Sequence, residues 1–112
     1  MPIALPSAPE RTELLLAAAE LFKALGEPTR LRLAALLATQ GELCVCQLAA
    51  ALHEPDFKIS RHLTILRNAG LVTTRRHGTW IYYRFAPAAE PFQKSLQALL
   101  RRSFADTPGL QD

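Results

Sequence analysis

The 112-residue chain has little of what enzymes and membrane proteins display. No apolar run is long enough to span a bilayer, no glycine-rich loop could cradle a phosphate, and no nucleophile stands beside a base at motif spacing. Neither a catalyst nor a membrane protein is expected. Cysteine occurs twice, at Cys44 and Cys46, and the single valine between them leaves no loop worth closing with a disulfide. The N-terminal stretch lacks a signal-peptide pattern, so a reducing cytoplasm is the expected setting. Histidine is scarce: His53, His62 and His77 are too scattered to suggest a zinc site, and residues 89–104 contain none. Acid is nearly missing from one stretch. Between residues 56 and 84, Asp56 stands alone against Lys58, Arg61, Arg67, Arg75, Arg76 and Arg84, which gives +5 there and leaves −2 for the rest of a chain of net charge +3. So basic a stretch in a small domain is the electrostatic footprint of nucleic-acid binding, although any one arginine taken alone reads as a solvated surface charge.

Apolar residues make up 49% of the chain, enough for one domain with its own core. That domain is expected to span 1–112, with residues 1–10 as a loose, proline-rich arm and 105–112 as a loose tail. Residues 12–25, "TELLLAAAELFKAL", are dense in helix formers, with Thr12 as N-cap and Gly26 as stop. This helix is apolar around most of its girth, which in so short a chain suggests a partner subunit. A second helix starts at Pro28 and ends at Gly41. A short third helix carries Val45, Leu48 and Leu52 and breaks at "HEPD". Asp56 then offers an N-cap for a fourth helix whose apolar face is Ile59, Leu63 and Leu66, opposite Lys58, Arg61 and His62. Two short helices joined tightly, the second with a basic face, read as a helix-turn-helix.

After Leu71 the pattern becomes β-rich: "VTTRRH", then Gly78, then "WIYYRF", a two-stranded hairpin in which Trp80, Tyr82 and Tyr83 are expected to pack, with base stacking as the alternative reading. A last helix, roughly 89–104, sets Phe92, Leu96, Leu99, Leu100 and Phe104 on one face. With no core evident for that stripe, it is expected to pack with the first helix against a second copy of the chain. The expected fold is mainly α with a β-hairpin wing, a winged helix-turn-helix of order ααααββα. Lys58, Ser60, Arg61, His62 and Thr64 are its donors toward base edges or phosphates of double-stranded DNA, and Arg75, Arg76 and His77 lie where a wing meets the backbone or a minor groove.

The segments "ALGEPTRLRLAALL", "GELCVCQLAAAL" and "ISRHLTILRNAGLVTTRRHGTWIYYRF" resemble the ArsR/SmtB family of winged-helix repressors across roughly Leu21 to Phe85. In that family "ELCVC" resembles the thiol box of the arsenic- and cadmium-responsive branches. The resemblance implies a homodimer on a palindromic operator, released when a toxic metal or metalloid binds, with Cys44 and Cys46 as the ligands. It implies As(III) or Sb(III) as inducer, and methylarsenite as another candidate, because the arsenic repressors' third cysteine is replaced here by Ala49. His53 is weighed both as an extra ligand and as a plain surface histidine. Two rivals stay open: a redox-sensing repressor using the same thiols, and a metalloid chaperone.

Elementary geometry adds an expectation about the pair. Cys44 and Cys46 flank the buried stripe of the third helix, where a packing role is the plain reading and a thiolate at a helix N-terminus the functional one. In a regular helix residues i and i+2 point about 200° apart, whereas in extended chain they share a face. Joint binding is therefore expected to require an unwound first turn, distorting the support of the fourth helix.

Overall fold

A computed structural model describes residues 8–105 of the chain. Five helices and three short strands follow one another as α1 (Ala8–Leu25), α2 (Pro28–Gln40), β1 (Glu42–Cys44), α3 (Val45–Leu52), α4 (Asp56–Asn68), β2 (Val72–His77), β3 (Trp80–Phe85) and α5 (Pro91–Phe104). The order is the expected one with a strand added before α3. α1 begins at Ala8, four residues ahead of Thr12, so residues 8–10 of the expected arm are helical. The remainder of that arm and nearly all of the expected tail lie outside the described residues.

The core forms where the apolar stripes of α2, α3 and α4 converge. Leu33, Leu48, Ile59, Leu63 and Leu66 are wholly buried, and Leu21 and Ala24 of α1 join them. α2 opens with the Glu27 carboxylate accepting from the Arg30 N–H at 2.9 Å and with Pro28 in the first turn. It closes at Gly41, whose φ of +89° suits a residue without a Cβ. The N-cap of α4 is Pro55 rather than Asp56, which becomes the first helical residue.

The sheet has three strands in the order β1-β3-β2, not two. β2 and β3 form the hairpin, turning at Gly78 (φ +64°) and Thr79 between the paired His77 and Trp80. β1 lies antiparallel on the other edge of β3, with Cys44 opposite Tyr82 and Glu42 opposite Arg84.

α5 differs from expectation in what it covers. Leu96 and Leu100 are buried against this chain's own core, with Phe104 partly buried beside them, and Gln97 donates to the Ala86 carbonyl at 2.9 Å. The stripe does have a core to cover, and Phe92 and Leu99 remain exposed. Among the described residues no helix is long and apolar enough to cross a membrane.

Candidate functional site

The turn between α3 and α4 is built for a sharp change of direction. His53 ends α3 in the left-handed region (φ 55°), the Glu54 N–H returns to the Ala49 carbonyl at 3.0 Å, and Pro55 excludes further helix until α4 begins. α4 is held by Ile59, Leu63 and Leu66, which leaves Phe57, Arg61 and Thr64 exposed, with Lys58 and Ser60 half-buried beside them. Lys58 Nζ lies 3.2 Å from Glu54, one turn back, and Thr64 donates its hydroxyl to the Ser60 carbonyl at 3.0 Å. Arg61, Ser60 and Thr64 thus share the outward face.

His62 does not join them. Its ring turns inward, with Nδ1 3.2 Å from an Arg30 Nη and 3.7 Å from Glu27 Oε2. Arg30 in turn donates from Nε to the Ala24 carbonyl at 2.6 Å. Burial opposes charge on Glu27, but the N–H groups of Arg30 and Thr29 and the nearby His62 and Arg30 outweigh it and hold the carboxyl below its usual range. The histidine expected to face DNA therefore docks α4 onto the start of α2.

The wing divides in the same way. Arg76 and His77 are exposed near its tip. Arg75 instead forms a forked ion pair with Glu42, Nε 3.1 Å from Oε2 and an Nη 2.5 Å from Oε1, while its guanidinium lies 5.2 Å from the Tyr82 ring centre. The hydrogen bond from Arg75 lowers the pKa of Glu42, and the same contact raises that of Arg75. Arg75 is thus a tie from β2 across β3 to β1. Trp80 is exposed, Tyr82 half-buried and Tyr83 buried, so only part of the aromatic trio packs.

The strand-to-helix junction arranges the thiols. Cys44, the last residue of β1, is the N-cap of α3 with extended backbone (φ −84°, ψ 166°). Cys46 lies in the first turn, and the two Sγ atoms are 2.6 Å apart. No unwinding is needed, because the first of the pair already lies in extended chain. The Cys44 N–H donates to Gln47 Oε1 at 3.0 Å and the Gln47 N–H faces the Cys44 sulfur, a capping box with sulfur in place of oxygen. Nor do the cysteines flank the stripe symmetrically: Cys44 is buried and Cys46 exposed.

Burial works against a charge on Cys44, but the hydrogen bond from Cys46 and the N–H groups of Gln47 and Cys46 prevail and lower its pKa. Donating that hydrogen bond, with burial and the Cys44 charge adding to it, raises the pKa of Cys46. The arrangement can present one thiolate and one thiol to a soft electrophile. Among the described residues no group of three or more His, Cys, Asp or Glu side chains is placed to hold a metal ion. His53 stands at the other end of α3, about 12 Å along its axis from the thiols, and cannot complete their site.

Sequence reasoning missed Glu27, Arg30, Glu42, Gln47 and Phe57. The glutamate before "PTR" signals a cap, but nothing in the sequence shows that a histidine 35 residues later closes on it. The Glu42–Arg75 pair depends on a three-residue strand too short to announce itself.

Comparisons with known proteins agree with this geometry. The profile of the "Bacterial regulatory protein, arsR family" matches residues 27–74. The arsenic resistance transcriptional regulator ArsR2 of Pseudomonas putida is 46% identical over 84 residues, covering 70% of this chain and 73% of that protein. The arsenical resistance operon repressor of Escherichia coli is 50% identical over 68 residues, 61% of this chain and 58% of that protein. Among solved structures, a homodimeric winged helix-turn-helix DNA-binding domain from Mycobacterium bovis superposes with a TM-score of 0.71 at 36% identity, covering 90% of this chain and 89% of that one. With a winged helix-turn-helix in place and relatives of this identity and coverage that are transcriptional regulators rather than enzymes, the chain belongs to the arsR family of bacterial regulatory proteins.

Proposed function

We propose that this chain is a cytoplasmic, homodimeric repressor that binds double-stranded operator DNA and is released when trivalent arsenic or antimony bridges Cys44 and Cys46. The observation that carries the inducer reading is the 2.6 Å approach of the two sulfurs at the N-terminus of α3, the helix that supports α4. Arsenous acid exchanges two hydroxyls for two thiols, forming two As–S bonds and releasing two waters, and keeps its third hydroxyl. A monomethyl arsenical needs only the same two sulfurs, since carbon fills its remaining position. Replacing the sulfur–sulfur contact by two As–S bonds moves Cys44 and Cys46 apart, which disturbs the cap of α3 and the end of β1 together. Release follows if the distorted form binds arsenic better and DNA worse.

The DNA-facing set is narrower than composition suggests. Arg61, Ser60 and Thr64 supply base-edge donors, Lys58 a backbone contact, and Arg76 and His77 phosphate contacts, whereas His62 and Arg75 act within the protein. The dimer is assigned to α1 and α5, on which Leu14, Leu15, Leu16, Phe22, Phe92 and Leu99 are exposed. Phe22 and Phe92 meet edge to face there, with ring centres 5.5 Å apart.

The test is operator release measured by anisotropy during titration with As(III), Sb(III), methylarsenite, Cd(II), Zn(II) and peroxide. Release by the first three and retention with zinc and peroxide is the expected result. Release by peroxide alone would transfer the site to redox sensing, which draws on the same proximity of the thiols. Absence of any sequence-specific DNA affinity would favour the chaperone reading instead.

A further inference from the structure

We infer that Phe57 is a specificity-determining residue that reads a thymine methyl group in the major groove of the operator. The inference rests on the repressor reading above. Phe57 is the second residue of α4 and is 67% exposed, while the apolar residues that anchor the helix, Ile59, Leu63 and Leu66, are at 0%. An isolated exposed phenylalanine is unremarkable by itself. Its position supplies the argument: Phe57, Ser60, Arg61 and Thr64 stand at i, i+3, i+4 and i+7, one continuous face at the N-terminal half of the helix. That half of a recognition helix is the part that meets base edges.

The ring is not alone there. The Arg61 guanidinium lies 5.8 Å from its centre, within cation–π range, so the two side chains form one composite surface. A guanidinium matches the O6 and N7 acceptors of guanine, and an apolar ring matches the C5-methyl of thymine, the one apolar feature a base pair shows in the major groove. The surface assigned above to the dimer lies elsewhere: the groove between α1 and α5 is lined by Leu14, Leu15, Leu21 and Phe92, not by Phe57. Ile65, also exposed on α4, borders a separate cleft with Lys23, Arg30 and Asn68.

The experiment selects binding sites for the full chain from a random double-stranded DNA library, then replaces each thymine of the selected half-site by uracil, which removes only the methyl. One thymine per half-site is expected to matter, its replacement weakening wild-type binding by about fourfold, the worth of one buried carbon. In Phe57→Ala overall affinity falls, the same replacement has no further effect, and the salt dependence is unchanged because no charge was removed. Phe57→Gln, similar in length but polar at its end, gives the same loss of methyl dependence. A methyl effect that persists undiminished in both variants, or a wild type indifferent to every uracil, would overturn the inference while leaving the repressor intact. A wild type that selects no sequence at all would instead strike the repressor reading.

Discussion

Sulfur at a helix N-cap is unusual, because serine, threonine, asparagine and aspartate accept the exposed N–H groups better. Cys44 holds that position while buried, so its substitution is more constrained than that of the exposed Cys46. Cys44→Ser puts a preferred capping oxygen where the Gln47 N–H can meet it, which offsets the burial of a hydroxyl; stability in urea is expected to change by about 1 kcal/mol or less. Both Cys44→Ser and Cys46→Ser are expected to bind operator normally and lose release by As(III). A serine variant that stays fully inducible would remove the thiol pair from the mechanism. Cys46→Ala separates the partners differently. It removes the largest of the contacts that together outweigh burial at Cys44, so the thiolate absorbance of Cys44 is expected to appear at higher pH than in the wild type. His62 belongs to the same scale. His62→Ala breaks its contact with Arg30 and is expected to cost about 1 kcal/mol of stability, whereas Arg61→Ala spares stability and removes about 1 to 3 kcal/mol of operator affinity; denaturation and binding curves on both variants check the pair.

At the scale of elements, β1 joins the thiols to the wing. It carries Cys44 opposite Tyr82 of β3, and Glu42 reaches across to Arg75 of β2. A change at the junction of β1 and α3 therefore touches the wing and the helix-turn-helix at once. The proposed roles of the two neighbouring wing arginines differ, and salt separates them. Arg76→Ala is expected to reduce the slope of log affinity against log salt by about one, the signature of one lost phosphate contact, while Arg75→Ala leaves it unchanged. Equal slopes for both variants would return Arg75 to the DNA. The sequence made the helices, the hairpin and the basic face of α4 legible because their apolar periods are regular and prolines and glycines such as Pro28, Gly41, Pro55, Gly70 and Gly78 mark their ends. It did not reveal β1, since "ELC" is three residues and continues into a helical pattern. The directions of His62 and Arg75 were hidden for another reason: each is set by an acid brought near by tertiary structure, Glu27 in one case and Glu42 in the other. The burial of Leu96 and Leu100 was missed because the stripe of α5 looks the same whether it covers its own domain or a second copy.

For the whole molecule that last distinction decides how dimerisation can be tested. Deleting the chain after Ala86 would remove Leu96, Leu100 and Gln97 from the core, so the truncated chain is expected to unfold rather than to yield a clean monomer. Point charges on the exposed surface avoid this. Leu15 and Leu99 are 69% and 51% exposed, and each sits on a helix assigned to the interface. Leu15→Glu and Leu99→Glu therefore place a carboxylate in water in the lone protomer but in an apolar contact in the dimer, where it would be desolvated and unpaired. Each variant is expected to keep its helix content and sediment as a monomer. Operator affinity should then fall by about a hundredfold or more, because one protomer engages one half-site and the gain from tethering the second is lost. The salt slope should drop with it, since half the phosphate contacts disappear. The proposed arsenic site has both thiols on one chain, so the monomeric variants should still bind As(III) at Cys44 and Cys46 with near wild-type affinity. Monomers that bind no arsenic would mean that the site is completed across the subunit boundary; variants that remain dimeric would move the interface away from α1 and α5.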